Sequence, residues 1–184
     1  MSDPTRPYRQ LARNNLIADR CLHLAIAALH PGEWMAPHAG FFPSLCATLN
    51  HISCVDLFYI DALEGGTFGT AAFATDTPYP DPTTLAQAQA VLDLRARVLC
   101  AGLPPESLSH PVHIHRATRI QTETVANTLM HLFLHSQHHR GQAHAMLAGT
   151  SVPPPQLDEF FMADDAAARA SDLAALRLMD DDFM

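Results

Sequence analysis

The chain has 184 residues, of which 48% are hydrophobic and 16% charged. This composition excludes general disorder and predicts a single domain, residues 1–184, with a packed core. The net charge of -8, from 11 basic and 19 acidic residues without a basic cluster, argues against a nucleic-acid partner. No secretory signal or membrane span is visible, so no membrane partner is expected. Because the cysteines lack disulfide-framework spacing, we expect a cytoplasmic protein with reduced thiols at Cys21, Cys46, Cys54 and Cys100.

The first predicted helix runs from Pro7 to Leu29 and ends at a His-Pro-Gly turn. Its apolar residues recur at helical spacing and define one inward face. Asn15 lies at the centre of that face, where a side-chain amide must find a hydrogen-bond partner or cost stability. We therefore expect Asn15 either to support a functional site or to belong to an ordinary polar pair in the core.

The second predicted helix, from Pro43 to Leu63, is apolar on most sides, which indicates burial against several neighbours. It contains His51, a candidate metal ligand, and one turn later Cys54, which could supply a thiolate. It also places Asp56 within its apolar stripe, where an unpaired carboxylate would be costly.

A long connection rich in Thr, Gly, Pro and Asp, residues 67–82, separates the second helix from the third and permits a crossover. The third helix is predicted from Thr83 to Leu103. It contains no candidate ligand and is assigned a supporting role. Its inward residues are predicted to be Leu85, Ala88, Val91, Leu92, Val98 and Leu99.

The segment 107–123 alternates apolar and polar residues, which is typical of two short strands or an extended rim. On a strand, His113 and His115 would point to the same face, since residues two apart share a face. The pattern leaves two interpretations open, a metal-binding pair or exposed histidines at the rim.

The fourth predicted helix contains five of the twelve histidines within residues 129–147. It is expected to start at Thr122 and Glu123 and to end at Gly149. His135 and His139 are one turn apart and closest to the apolar stripe, whereas His131 and His138 lie farther round the helix. This spacing suits two ligands of one metal ion but also suits the polar edge of a helix. A third ligand elsewhere in the chain would favour the metal site over the polar edge.

Two stretches of the chain resemble the DinB family of helical metalloproteins. The sequence Phe-Pro-Ser-Leu-Cys-Ala-Thr-Leu-Asn-His at 42–51, with Asp56 following, resembles the family's stretch around its first metal histidine. The sequence His-Ser-Gln-His-His-Arg-Gly-Gln at 135–142 is similar to the family signature His-x-x-His-His-Arg-Gly-Gln. The resemblance extends from about residue 8 to 158 and leaves an acidic helical tail, residues 159–184, outside it.

The resemblance implies an all-α fold, a four-helix bundle with an up-down-down-up path and a long crossover between helices two and three. It implies three metal ligands, His51, His135 and His139, and a homodimer, with which the apolar surface of helix two is compatible. The residues expected to support the ligands are Asp56, Arg140, Asn15 and Gln142.

The expected cofactor is a divalent metal ion, with zinc or nickel favoured and iron or copper as alternatives. Three imidazoles leave coordination positions open, as in catalytic zinc sites. The resemblance therefore implies an enzyme that activates a low-molecular-weight thiol for transfer or a water molecule for hydrolysis of a small substrate. The alternative is a non-catalytic, stress-response bundle in which a structural metal ties helix two to helix four.

A direct ion pair between Asp56 and Arg140 is predicted to fix the register of helices two and four. The competing interpretation is that Arg140 extends to solvent and Asp56 binds a backbone group or the Asn15 amide. Gly141, in the middle of the helix, costs about 1 kcal/mol relative to alanine, which suggests the close approach of a neighbouring backbone.

Overall fold

A computed structural model describes residues 3–158 and 162–179. The fold is mainly helical, with one small sheet. The helices are α1 (Arg6–Ile26), α2 (Leu45–Leu63), α3 (Pro82–Ala101), α4 (Val125–Leu147) and α5 (Ala166–Leu176). The strands, β1 (Pro111–His115) and β2 (Ile120–Thr124), lie between α3 and α4.

Side-chain caps define where three of the helices begin. Ser44 accepts a hydrogen bond from the backbone N–H of Ala47 at the start of α2, over 3.1 Å. Asp81 caps α3 in the same way, and Thr124 caps α4. Each cap satisfies a backbone donor that the first helical turn leaves free. The predicted start of α4 at Thr122 and Glu123 was therefore wrong, because these residues belong to β2.

The expectation of an all-α fold also needs correction, since β1 and β2 form an antiparallel hairpin. Val112 and Ile114 are buried on its inner face, and His113 between them is exposed. This alternation gives the hairpin one apolar face, which packs on α2. Of the two interpretations of this segment, two short strands or an extended rim, the structure shows the two strands.

Helix α2 packs against α3 and α4, and α1 packs against α3 and α4. Most of α2 is buried, as its apolar breadth predicted. The main core therefore lies among these four helices, with residues 64–81 connecting α2 to α3. The up-down-down-up order of the helices stays a prediction.

The inward face of α3 differs from the predicted one. Leu85 and Leu92 are buried as expected, but Val91 and Val98 are 59% and 62% exposed. Their places in the interior are taken by polar or small side chains, Gln89, Asp93, Ala96 and Cys100. Apolar periodicity predicted the wrong inward face because α3 buries polar residues that contact partners on the other helices.

The C-terminal tail folds back onto α1. Leu173 and Leu178 are buried against Leu16 and Ile17, and Asp172 lies 3.4 Å from Arg20. The helical prediction for the tail is thus confirmed over α5, while residues 159–161 and 180–184 lie outside the described part of the chain. Among the described residues, no helix combines the length and apolarity that crossing a membrane requires.

Candidate metal centre

Three imidazoles from α2 and α4 converge at one place. His51, His135 and His139 each offer a ring nitrogen, and these nitrogens all lie within 4.8 Å of one another. The Nε2 atoms of His51 and His135 are 3.1 Å apart. Two ring nitrogens at this distance need a proton or a cation between them, because their lone pairs would otherwise repel. We call these three residues the histidine cluster.

A neighbouring side chain orients one member of the histidine cluster. The Nδ1–H of His139 donates to Oε1 of Gln142 over 2.8 Å, which leaves Nε2 free to act as a ligand. Gln142 also lies 3.2 Å from the ring of His138 through its own amide nitrogen. In contrast, Nδ1 of His135 is buried and has no hydrogen-bond partner among the described residues.

Burial keeps the histidine cluster neutral. Burial, together with the nearby charge of His139, lowers the pKa of His51 to about 4 and that of His135 to about 3. Burial also lowers the pKa of His139, although its hydrogen bond to Gln142 acts in the opposite direction. Neutral imidazoles keep the lone pairs that metal binding requires.

The other candidate ligands lie outside the cluster. Cys54 is buried, and its sulfur does not join the group of close ligand atoms that the described residues form. His131 is exposed and packs its ring 5.0 Å from that of Tyr59. His113 is exposed and contacts Thr122 across the hairpin, as expected for a rim histidine.

A cavity of about 350 Å³ lies beside His51. Its lining includes Phe42, Cys54, Phe73 and Asp76. The ring of Phe42 stacks 4.5 Å from that of His51. Burial raises the pKa of the Cys54 thiol, and the charge of Asp76 raises it further, so the thiol stays protonated at neutral pH. The histidine cluster therefore adjoins a space that can admit a small molecule.

Behind the histidine cluster, a buried set of polar side chains joins four helices. Each helix contributes two residues about one turn apart, and we call the set the polar network: Asn15 and Asp19 from α1, Ser53 and Asp56 from α2, Gln89 and Asp93 from α3, Ser136 and Arg140 from α4. All eight are buried. Because Ser136 follows His135 and Arg140 follows His139, the network holds α4 at the residues next to two of the histidines.

The predicted ion pair between Asp56 and Arg140 is wrong. Arg140 donates through Nη1 to Asp19 over 2.9 Å and to Asn15 over 2.8 Å. Asp56 instead accepts hydrogen bonds from Ser136 and Gln89, each 2.7 Å long. The partners differ from the predicted ones because α1 and α3 bring Asp19 and Gln89 to the centre of the four helices.

The polar network contains three carboxyl groups and one arginine. Asp19, Asp56 and Asp93 are 2%, 2% and 3% exposed and have oxygens within 4.8 Å of one another. Burial raises the pKa of Asp56 to about 7, with the charge of Asp19 adding to this effect. Burial and both other carboxylates raise the pKa of Asp93 well above its ordinary value. These carboxyl groups already accept hydrogen bonds from the network, so they are not assigned as a second metal site.

Five members of the polar network were not predicted from the sequence: Asp19, Ser53, Gln89, Asp93 and Ser136. A usable signal was present, since polar pairs three or four residues apart recur on the four helices, such as Gln89 with Asp93. The interpretation of Gly141 was also wrong, because a Cβ placed there would meet no atom within 4 Å beyond its own helix backbone and chain neighbours.

Comparisons with known proteins agree with this architecture. A crystal structure of a DinB-like protein from Bacillus cereus ATCC 10987 is similar, with a TM-score of 0.54 and 18% sequence identity, covering 74% of this chain and 89% of that one. No curated protein matches the chain. The family model described as "DinB family" matches residues 1–171. The chain therefore belongs to the DinB family.

Proposed function

We propose that the chain is a metal-dependent enzyme in which His51, His135 and His139 hold a divalent ion that activates a small thiol or a water molecule. The observation that carries the proposal is the convergence of three neutral ring nitrogens within 4.8 Å, next to a cavity. Three side-chain ligands leave positions for exchangeable ligands, which is typical of catalytic rather than structural zinc sites.

One pair of donor nitrogens has a separation that suits such an ion. Nitrogens about 2.0–2.1 Å from a tetrahedral zinc ion lie about 3.3 Å apart. The 3.1 Å between the Nε2 atoms of His51 and His135 is close to this separation. Imidazole donors suit zinc and nickel, and also iron and copper, so the metal is proposed only as a divalent ion of this group.

The chain's own side chains prepare the site. Gln142 holds His139 with Nε2 available, and Phe42 covers His51 and His139 at ring distances of 4.5 and 5.5 Å. Asn15, Asp56 and Arg140 act indirectly by fixing α4 against the other helices. A bound divalent ion would supply a Lewis acid that lowers the pKa of a coordinated thiol or water.

The runner-up function is a non-catalytic bundle in which the metal only ties α2 to α4. A closed site with four protein ligands would favour it. Cys54, the candidate fourth ligand, lies outside the ligand group formed by the described residues, and His51 faces a cavity. Both observations favour the enzyme.

An activity panel tests the proposal. Protein purified without an affinity resin is first analysed for metal, then assayed with thiols plus electrophiles and with hydrolysable esters and amides. We expect turnover of one class that disappears in His135→Ala and persists in His131→Ala. A metal-loaded protein inactive across the panel, with its unfolding midpoint strongly raised by metal, would favour the structural alternative instead.

The helix order, the cellular location and the oligomeric state are also proposals. We propose the up-down-down-up bundle path, a cytoplasmic location and a homodimer, without a nucleic-acid or membrane partner. Because α2 is buried within the chain, its surface no longer supports the dimer. The better support is the exposed apolar side of α3, formed by Val91, Leu94 and Val98. A monomer in light scattering at micromolar concentration would contradict the dimer.

A further inference from the structure

We propose that the cavity beside His51 selects substrates that carry a protonated amine next to an apolar group, with Asp76 as the residue that recognises the amine. The location of this subsite rests on the proposed function, because the cavity matters for catalysis only if His51 belongs to a working metal centre. The charge preference follows from the lining alone and can be measured without metal.

The charges around the cavity favour a cation. Asp76 lies in the lining, close enough to Cys54 that its charge raises the pKa of the thiol. No arginine lines the cavity among the described residues, and the chain contains no lysine. Asp76 is the one acidic side chain among the described lining residues, and its negative charge would therefore repel an anion.

The aromatic residues provide the second half of the recognition. Phe42 and Phe73 both line the cavity, and Phe73 is 39% exposed although it also packs 5.3 Å from Phe58. Phenylalanine faces bind apolar groups and also attract ammonium groups through the negative potential of the ring. Together with Asp76, these rings suit a small molecule that combines an ammonium group with a hydrocarbon part.

The cavity and the histidine cluster thus differ in the charge that they accept. The cluster is the place for the electron-rich group that binds the metal, such as a thiolate or hydroxide. Asp76 lies on the same cavity as His51 and disfavours further negative charge there. A substrate that contacts both Asp76 and the metal would be a small molecule with an amine and a separate metal-binding group. An aminothiol is the simplest case.

The test compares three probes of nearly equal shape on the metal-free protein: 2-phenylethylamine, 2-phenylethanol and phenylacetate. Binding is followed by amide chemical-shift changes in NMR titrations of the wild type, Asp76→Asn and Glu106→Gln. The last variant removes the same charge from an exposed residue outside the cavity lining and serves as the control.

We expect the amine to bind at least about fivefold more tightly than the alcohol, and phenylacetate to bind weakest, with shifts centred on Phe42, Phe73 and Thr75. Asp76→Asn should remove the preference, and Glu106→Gln should keep it. Equal affinities for the amine and the alcohol, a preference that survives Asp76→Asn, shifts elsewhere, or no detectable binding of the amine would each overturn the proposal. Failure of the proposed function has a different signature, the absence of metal binding by the histidine cluster, and the probe titrations do not depend on it.

Discussion

The histidine cluster and the polar network occupy neighbouring positions on α4 but satisfy their polar atoms in opposite ways. In the network, Arg140 and the three buried carboxyl groups all have hydrogen-bond partners on other helices. In the cluster, the ring nitrogens of His51 and His135 face each other, and Nδ1 of His135 has no partner within the described chain. A buried polar group that forms its hydrogen bonds within the protein stabilises the fold. Imidazole nitrogens that converge on one place, by contrast, indicate a bound ligand.

The geometry of α4 explains how one helix serves both regions. Successive residues point about 100° apart around a helix axis. His135 and His139 therefore turn toward His51 on α2. Ser136 and Arg140, one position later, turn toward the centre of the four helices. Substitutions in the polar network should alter the free energy of unfolding and leave metal binding intact. Substitutions in the histidine cluster should abolish metal binding and alter the free energy of unfolding little.

The largest effect is expected from Arg140→Met. This substitution keeps most of the side-chain volume but leaves three buried carboxyl groups without their cation. We expect the free energy of unfolding to fall by roughly 3–5 kcal/mol at neutral pH, measured by urea denaturation of metal-free protein. The loss should be smaller near about pH 5, where carboxyl groups of raised pKa take up protons more readily.

Arg95→Met provides the matched control for this loss. Arg95 pairs with Glu64 over 2.6 Å on the surface, where both side chains are about a third exposed, at 31% and 39%. Removing such a pair should cost about 1 kcal/mol or less. Similar losses in the two variants would mean that the polar network is not the stabilising element described here.

A second, smaller effect concerns the pH dependence conferred by Asp56. Because its pKa rises from 3.8 to about 7 on folding, the folded protein retains a proton that the unfolded chain releases between these values. Stability should therefore fall as the pH rises from about 4 to about 7. Asp56→Asn should remove this slope and gain roughly 2–4 kcal/mol relative to wild type between pH 4 and pH 8.

The measurement is a series of urea unfolding curves across this pH range, with the difference between variant and wild type as the readout. Taking the difference removes the contribution of the histidine cluster, whose lowered pKa values act with the opposite sign and reduce stability as the pH falls below about 6.5. A difference that stays constant with pH would show that Asp56 is already ionised in the folded protein.

The smallest effect is expected from Gly141→Ala. Alanine is about 1 kcal/mol better than glycine within a helix. A Cβ at this position meets no atom within 4 Å beyond its own helix backbone and chain neighbours. The variant should therefore raise the free energy of unfolding by about 1 kcal/mol without changing metal content. A destabilised variant would reveal a close approach at Gly141, for instance in a dimer.

Much of this molecule follows from local sequence rules. Apolar periodicity, with glycine and proline as end signals, predicted four long helices. The alternation of residues 107–123 left two short strands as one of two interpretations. The spacing of His135 and His139 placed two imidazoles on one side of α4, and the family resemblance supplied His51. The structure brings these three histidines together as the prediction requires.

The polar network could not be predicted in the same way, because its partners are far apart in the chain. Arg140 and Asp19 are 121 residues apart, and nothing local in α4 indicates which of three buried carboxylates it will meet. The inward face of α3 was wrong for a related reason. Apolar patterning favours valine for the interior, whereas Gln89 and Asp93 are buried because the other helices supply their hydrogen-bond partners.

Metal stoichiometry in the two regions tests the central claim most directly. Wild type, His135→Ala, His131→Ala and Asp56→Asn are purified without an affinity resin, dialysed against zinc or nickel and analysed for bound metal per chain. We predict one ion per chain in the wild type, in His131→Ala and in Asp56→Asn, and essentially none in His135→Ala. Metal retained by His135→Ala, or lost equally from His131→Ala, would contradict the assignment of the histidine cluster as the metal centre.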